Sequence, residues 1–262
     1  MGARAPGVAR NTTVPARDPG LLRVVTYNIH KCRGLDQRTR PERIAWVLGE
    51  LDADVVALQE VLHSDCVPHL DQVRGITSLL DGYAWHFGEV RHHRGSAYGN
   101  ATLSRLPVTA SSTYDITWQH RERRGCLRTD VQFSNTLLHV FNVHLGTSAF
   151  ERPHQARRLL SRRVLHAEEL RGPRIVMGDF NEWTRGVATK LMSDHFDSVD
   201  RKLHRTWWTY PGLLPFLHLD HFYYDKRLKL ERFYVHRSRT ALVASDHLPL
   251  VADFRVPGED ED

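Results

Sequence analysis

The apolar run Ile175-Val176-Met177 breaks at Gly178 and ends in Asp179 and Asn181, a carboxylate and an amide two residues apart. A bulky apolar run closed by glycine predicts a buried strand that stops abruptly. Side chains two apart leave a strand on the same side, so Asp179 and Asn181 can converge on one point at the sheet edge. Taken alone, the heptapeptide also suits a turn in which Asp and Asn bond their own backbone. It constrains the fold because the pattern recurs. A strand predicted from Leu22 to His30 turns polar at Asn28 and His30, and one from Asp54 to Glu60 closes on Gln59-Glu60. Thr136 to His144 delivers Asn142 and His144, Phe216 to Tyr224 carries Asp220, and Ser245-Asp246-His247 stands just before a last strand, Leu248 to Val256. A glutamate closing an apolar strand is costly to desolvate unless it is paired or metal-bound.

Between these runs, Pro41 suits the first residue of a helix whose apolar positions Ile44, Val47, Leu48 and Leu51 recur at helical spacing. Pro68 to Leu80 reads as looser helix. Tyr83–Glu89, Ala97–Ser104, Val108–Trp118 and Cys126–Phe133 read as strands joined by turns at Gly95, Leu106-Pro107 and Ser134-Asn135. A long helix is expected over 151–171, with Ala156, Leu159, Leu160, Val164, Ala167 and Leu170 as one stripe and Gly172-Pro173 as its stop. A short helix over 184–194, the aromatic loop Trp207-Trp208-Thr209-Tyr210 and a strand from Leu228 to His236 complete the chain. The expected fold class is α/β, with two packed, mostly antiparallel sheets flanked by helices. No linker divides it, so one domain over 21–256 is expected, between a disordered arm at 1–20 and an acidic tail at 257–262.

A net charge of +5 suits a polyanionic partner, either nucleic acid or an anionic lipid surface. No apolar run is long enough to span a bilayer, so no transmembrane segment is expected. Residues 1–20 lack the apolar stretch of a secretory signal. Cys32, Cys66 and Cys126 are odd in number and have no metal-like spacing, which favours a reducing, cytoplasmic setting over a disulfide framework. Cys32 and Cys126 are expected to be packing residues. The aromatic loop can pack, stack on bases or lodge in a lipid interface.

The polar strand ends supply oxygen donors with little sulfur, which suits Mg²⁺ or Mn²⁺ better than zinc. Histidines among them can donate to phosphate oxygens or move protons near neutral pH. Carboxylates, amides and two histidines together fit phosphoester hydrolysis.

TYNIH, DVVALQEV, YGNATLSRLP, NVHLG, MGDFNEW and ASDHLPL, in this order and spacing, resemble the endonuclease/exonuclease/phosphatase superfamily, over about residues 22–256. The resemblance implies a four-layered α/β/β/α sandwich with a metal-dependent site at one edge of the paired sheets. It assigns Glu60 as the principal ligand of Mg²⁺ or Mn²⁺, with Asn28 and Asp246 close to the ion or its waters. Asp179, helped by Asn181, would orient or deprotonate the attacking water. His247, steadied by Asp220, would polarise the phosphate, with His144 acting from the other side and able to protonate the leaving oxygen. Asn100, Arg124 and Asn142 resemble phosphate-proximal positions. His30 stands where abasic-site nucleases usually carry Asp, and Val61 follows Glu60 where they carry a polar residue, so abasic-site repair is disfavoured. His221 stands where many bacterial relatives carry Arg. The expectation is a monomeric Mg²⁺-dependent phosphodiesterase acting on nucleic acid, the alternative being a phospholipid or sphingomyelin-type diester. A non-catalytic binding module of the same fold is a further alternative, against which the intact set Glu60, Asp179, Asn181, Asp220, Asp246 and His247 argues.

Overall fold

The computed structural model describes residues 15–16, 18–183, 186–204 and 206–257. Most of the expected arm (1–14 and 17) and residues 258–262 of the acidic tail lie outside them. Among the described residues, twelve strands form two six-stranded sheets. The first runs, in spatial order, β11 (Lys229–Val235), β12 (Leu250–Arg255), β1 (Leu22–Asn28), β2 (Val55–His63), β4 (Ser96–Ser104) and β3 (Ala84–His93). The second runs β5 (Val108–Asp115), β6 (Gly125–Phe133), β7 (Thr136–His144), β8 (Arg174–Asp179), β10 (Asp220–Tyr224) and β9 (Asp197–Ser198). Each sheet has one parallel pair, β1/β2 in the first and β7/β8 in the second, and is otherwise antiparallel. A parallel pair needs a crossover, and the chain supplies one helix for each: α1 (Pro41–Leu51) and α3 (Arg152–Leu159).

Period-two alternation sorts the strand residues into layers. Leu22, Val24, Val55 and Ala57 meet Val140, Ile175, Met177 and Phe222 in the gap between the sheets. On the outer face of the first sheet, Val25, Tyr27, Val56 and Leu58 pack on Ile44, Val47, Leu48 and Leu51 of α1. On the outer face of the second, Phe141, Val143, Val176 and Tyr223 pack on Ala156 and Leu159 of α3 and on Ala188 and Met192 of α4 (Val187–His195). This is the expected four-layered sandwich. Short helices α2 (Gln72–Thr77), α5 (Val199–Leu203) and α6 (Ala241–Ala244) complete it. Among the described residues no helix is long and apolar enough to cross a membrane.

The helix expected over 151–171 ends at Leu159, and 160–171 is turn. Val164, Ala167 and Leu170 are nevertheless buried with Leu159 in the same cluster, so the apolar spacing is real and the helix is not. Arg158 and Arg162 would repel at i,i+4 in a continuing helix, and the Ser161 hydroxyl accepts from Arg163 N at 3.4 Å, competing for the backbone. The Leu165 and His166 amides turn back to Leu159 O and Ser161 O, closing the segment as a knot of turns. The short helix expected over 184–194 begins at Val187, and residues 184–185 lie outside the described set.

Candidate active site

The inter-sheet layer turns polar toward one end. The C-terminal ends of β1, β2, β7 and β8 meet there with the N-terminal ends of β10 and β12, because the latter run antiparallel to their neighbours. Along β8, Ile175 and Met177 face the gap and Asp179 follows with the same parity. On β7 and β1 the sequences Leu138-Val140-Asn142-His144 and Leu22-Val24-Thr26-Asn28 do the same. The first polar tier is structural. Gln59 Nε2 donates to Thr26 Oγ1 at 3.1 Å and to Asn142 Oδ1 at 2.9 Å, and Asn142 Nδ2 donates to Leu58 O and Ala101 O at 3.0 and 2.9 Å.

Glu60 reaches the second tier through a bulge. Leu58 pairs with Ala101 and Val61 with Gly99, so β2 carries an extra residue between them, and Glu60 sits there with φ +57°. Val61 returns to the helix-side core. Without the bulge, Glu60 would share the outer face with Val56 and Leu58 and be buried against α1. Gly178 serves a related purpose on β8. Its φ is +150°, and a Cβ there would lie 1.8 Å from Val143 O, so only glycine lets β7 and β8 close just before Asp179.

Asp179 is the hub. Its Oδ2 accepts from Asn28 Nδ2 at 2.9 Å, and its Oδ1 accepts from Asn181 N at 2.8 Å. Two imidazoles flank Oδ2, His144 Nε2 at 3.7 Å and His247 Nε2 at 3.8 Å. Burial, added to by the nearby Asp220 charge, raises the Asp179 carboxyl above the usual range, with His247 opposing. His247 Nδ1 donates to Asp220 Oδ2 at 2.9 Å, and Thr209 Oγ1 donates to the same oxygen at 2.6 Å. Burial disfavours the imidazolium, but Asp220, then Asp179 and Asp246, outweigh it and raise His247 to about 10. His144 has the opposite environment. Burial and the Arg124 guanidinium hold it well below 6.5. Arg124 Nη1 faces His144 Nδ1 at 3.4 Å, and because Arg can only donate, His144 carries its proton on Nε2, toward Asp179. The site therefore holds one charged and one neutral imidazole on either side of a carboxylate.

Glu60 is partly open. Burial opposes its ionisation, but the positive charge around it, with the Lys31 ammonium contacting Oε2, holds it down at about 2. Lys31 lies in the three-residue turn His30–Cys32, all three residues at positive φ. Asp246 faces His30 Nδ1 at 3.5 Å, and Ser245 Oγ donates to Asn28 O at 2.8 Å, tying the Asp246-His247 segment to the end of β1.

A family model for the Endonuclease/Exonuclease/phosphatase family matches residues 25–247, a span that holds every one of these side chains. The chain belongs to that family. It is similar to the uncharacterized protein YbhP of Escherichia coli, 27% identical over 253 residues that cover 90% of this chain and 96% of YbhP. A family structure from Beutenbergia cavernae is 26% identical, with a TM-score of 0.74 over 91% of this chain and 72% of that one. One from Bacteroides vulgatus, 17% identical, superposes with a TM-score of 0.76 over 90% of this chain and 99% of that one and shares the fold. The family is one of hydrolases of phosphate esters.

Within that family frame, the structure brings Asn28, Glu60, His144, Asp179, Asn181, Asp220, Asp246 and His247 to one end of the gap. Two of the expected phosphate-proximal residues do other work. Both donors of Asn142 go to backbone carbonyls, and Asn100 Nδ2 donates to Gly125 O and Asn142 O, both at 3.2 Å, so neither amide has an N–H left for a phosphate. Each is a buried tie between strands. Arg124 is placed beside His144. Asn181 Nδ2 donates to Leu145 O at 3.0 Å, while its backbone N–H serves Asp179. Cys32 and Cys126 are fully buried, and burial pushes both thiols up, as befits packing residues.

The structure adds Lys31, Thr209 and Tyr210 to the site, against Glu60, Asp220 and His247 respectively. Lys31 gave a usable signal, a cation three residues beyond Asn28. Thr209 and Tyr210, whose ring lies 5.0 Å from that of His247, become visible only once the 207–217 loop folds against the Asp246–Leu248 segment. A hard divalent cation fits the donor set. Glu60 is ionised, Asn28 turns Nδ2 toward Glu60 Oε1 at 3.5 Å, Asp246 adds a carboxylate at the same end of the gap, and the Lys31 ammonium already marks Glu60 as a seat for positive charge.

Proposed function

We propose that the chain is a divalent-metal-dependent phosphodiesterase that attacks the phosphorus with water. The observation that carries this reading is Asp179, a buried carboxylate of raised pKa set between His144 and His247 at 3.7 and 3.8 Å. A carboxylate tuned toward neutrality is suited to take a proton from water near physiological pH. His247, held as imidazolium by Asp220, offers positive charge to a non-bridging phosphate oxygen. His144, neutral with its proton on Nε2, is the donor for the leaving oxygen. Arg124 fixes that tautomer and adds charge behind it. Mg²⁺ or Mn²⁺ held by Glu60, with Asn28 and Asp246, would polarise the phosphoryl group and offset charge in the transition state.

The charge of +5 suits a nucleic acid and an anionic phospholipid equally. The rim of the site favours the phospholipid. Trp208, Leu213, Leu214 and Phe216 are 53, 61, 77 and 61% exposed. They sit on a loop whose Gly212 N donates to Asp246 O at 2.7 Å and whose Tyr210 packs on His247. Aromatic residues alone would suit base stacking, but leucines offer no π-face and suit acyl chains. Nucleic acid remains the second reading, resting on the basic charge.

The test is hydrolysis of a soluble chromogenic diester, plasmid and single-stranded DNA, RNA, sphingomyelin and anionic phospholipid vesicles, with Mg²⁺ or Mn²⁺. Asp179→Asn is expected to abolish whatever activity appears. Trp208→Ser with Leu214→Ser is expected to depress turnover of vesicles while sparing the soluble diester. Activity on no diester, or activity indifferent to Asp179→Asn, would sink the reading; DNA cleavage without vesicle cleavage would restore nucleic acid as the substrate class.

A further inference from the structure

On β10, Phe222 and Tyr224 face the inter-sheet core while His221 and Tyr223 face the helix layer. Asp220 therefore points into the active site, and His221 points to the opposite face of the same strand. There its ring packs against Phe180 and Tyr223, with centroids at 5.5 and 6.0 Å, and against His218 at 4.1 Å. Pairing of β9 with β10 through Tyr223 and Ser198 folds α5 back over this face and brings Asp200 to the two histidines. Asp200 Oδ2 lies 3.4 Å from His221 Nδ1 and 3.6 Å from His218 Nδ1.

These separations are long for a charge-assisted hydrogen bond, which would be about 2.7–2.9 Å. His221 Nδ1 is buried and has no hydrogen-bond partner among the described residues. They do match the edge of a ligand tetrahedron. With zinc–nitrogen and zinc–oxygen bonds of about 2.0–2.1 Å, ligand atoms stand about 3.3–3.4 Å apart. His221 Nε2 donates to Glu182 O at 3.0 Å. A ring that spends one N–H on a backbone carbonyl is oriented with its other nitrogen free to ligate, the usual outer-shell arrangement of a metal-bound histidine.

We propose that Asp200, His218 and His221 form a second cation site, separate from the Glu60 site and selective for a first-row transition metal of the zinc class. Two imidazoles and one carboxylate suit zinc, whereas magnesium prefers oxygen alone. The three side chains line a cavity of about 400 Å³ that has room for a water to complete a four-coordinate ion. A metal here joins α5 to the start of β10, and so braces Asp220, one residue away, from behind.

The test uses the full chain stripped with chelator and titrated with Zn²⁺ and with Co²⁺ in excess Mg²⁺. One tightly held Zn²⁺ per chain is expected, with a tetrahedral Co²⁺ visible spectrum lacking thiolate charge-transfer bands, and a rise in thermal midpoint on adding Zn²⁺. His221→Gln, His218→Gln and Asp200→Asn should each weaken that ion by more than the roughly 10–100-fold that loss of an outer-shell partner costs. Glu60→Gln should leave it in place. The proposal is overturned if wild type holds no Zn²⁺ under excess Mg²⁺, if its Co²⁺ spectrum is octahedral or shows thiolate bands, or if Glu60→Gln rather than His221→Gln releases the ion. Because the wild-type spectrum is itself decisive, the test survives a variant that fails to fold.

Discussion

Replacing Asp220 by Asn changes one charge and almost no volume, and so isolates what holds His247 protonated. At 2.9 Å and an effective dielectric of about 20, the gross attraction between Asp220 and His247 is about 6 kcal/mol, or about 4 pKa units. Asp179, at 3.8 Å, contributes about 4 kcal/mol on the same scale and stays in the variant. Burial works against both. The net expectation is that His247 falls from about 10 toward the ordinary 6.5, by on the order of 2–4 units. Imidazole ¹⁵N titration of the metal-free protein reads this directly. Stability follows by linkage. A histidine raised above its unfolded value contributes stability that is fully present below 6.5 and is lost as pH rises through about 10. Wild type should therefore lose denaturant resistance across that alkaline window, and Asp220→Asn should show a flatter profile there. Removing the like charge also lowers Asp179, moving the acid limb of activity to lower pH. A wild-type His247 that titrates near 6.5, or one that stays near 10 in the variant, would refute the reasoning.

Glu60 and Arg23 give two further expectations. Glu60, depressed from 4.5 to about 2, contributes stability that is present above 4.5 and lost as pH falls through about 2; Glu60→Gln should remove that acid dependence in urea melts and lower metal-dependent turnover on the order of a hundredfold or more. Arg23 is buried in β1, with Nε and Nη2 donating to Asp253 at 2.7 and 2.9 Å and Nη1 donating to Leu51 O at 3.1 Å. Arg23→Ala strands a buried carboxylate and should cost roughly 3–5 kcal/mol in equilibrium unfolding, with an undiminished stability refuting the pair's importance.

How far the sequence reveals the site depends on whether a side chain's face follows from strict alternation. Asn28, His144 and Asp179 lie on regular strands with apolar partners two and four residues before them, so their convergence was legible. Asp220 begins β10 with the same parity as Phe222. Glu60 was legible as an anomaly, a carboxylate closing an apolar strand, but alternation assigns it to the wrong face, and only the bulge explains its position. Asn142 obeys alternation and so looked like a ligand. What the pattern could not show is its place one tier deeper than His144, where its amide is consumed by Leu58, Ala101 and Gln59. The helix misread over 151–171 has a similar cause. The burial spacing is in the sequence, but the competing hydroxyl of Ser161 ends the helix within it. His218, His221 and Asp200 depend on the two-residue strand β9, too short to leave a sequence signal.

The two parallel pairs explain why the site forms where it does. In an antiparallel sheet, neighbouring strands end on opposite sides, so polar tips on adjacent strands would be parted by the strand's length. Making β1/β2 and β7/β8 parallel puts Asn28, Glu60, His144 and Asp179 at one end of the gap, two from each sheet. The antiparallel neighbours β12 and β10 then begin where these four end, which delivers His247 and Asp220 without any further crossover. The cost is a polar end in an otherwise apolar inter-sheet layer. The Thr26, Gln59 and Asn142 tier meets most of it by hydrogen-bonding the last buried side chains to one another, with Gln59 Oε1 left unpartnered among the described residues, so the charged groups beyond are placed on a hydrogen-bonded polar floor. It follows that Asn142 positions the site through the sheets it ties and not through contact with phosphate.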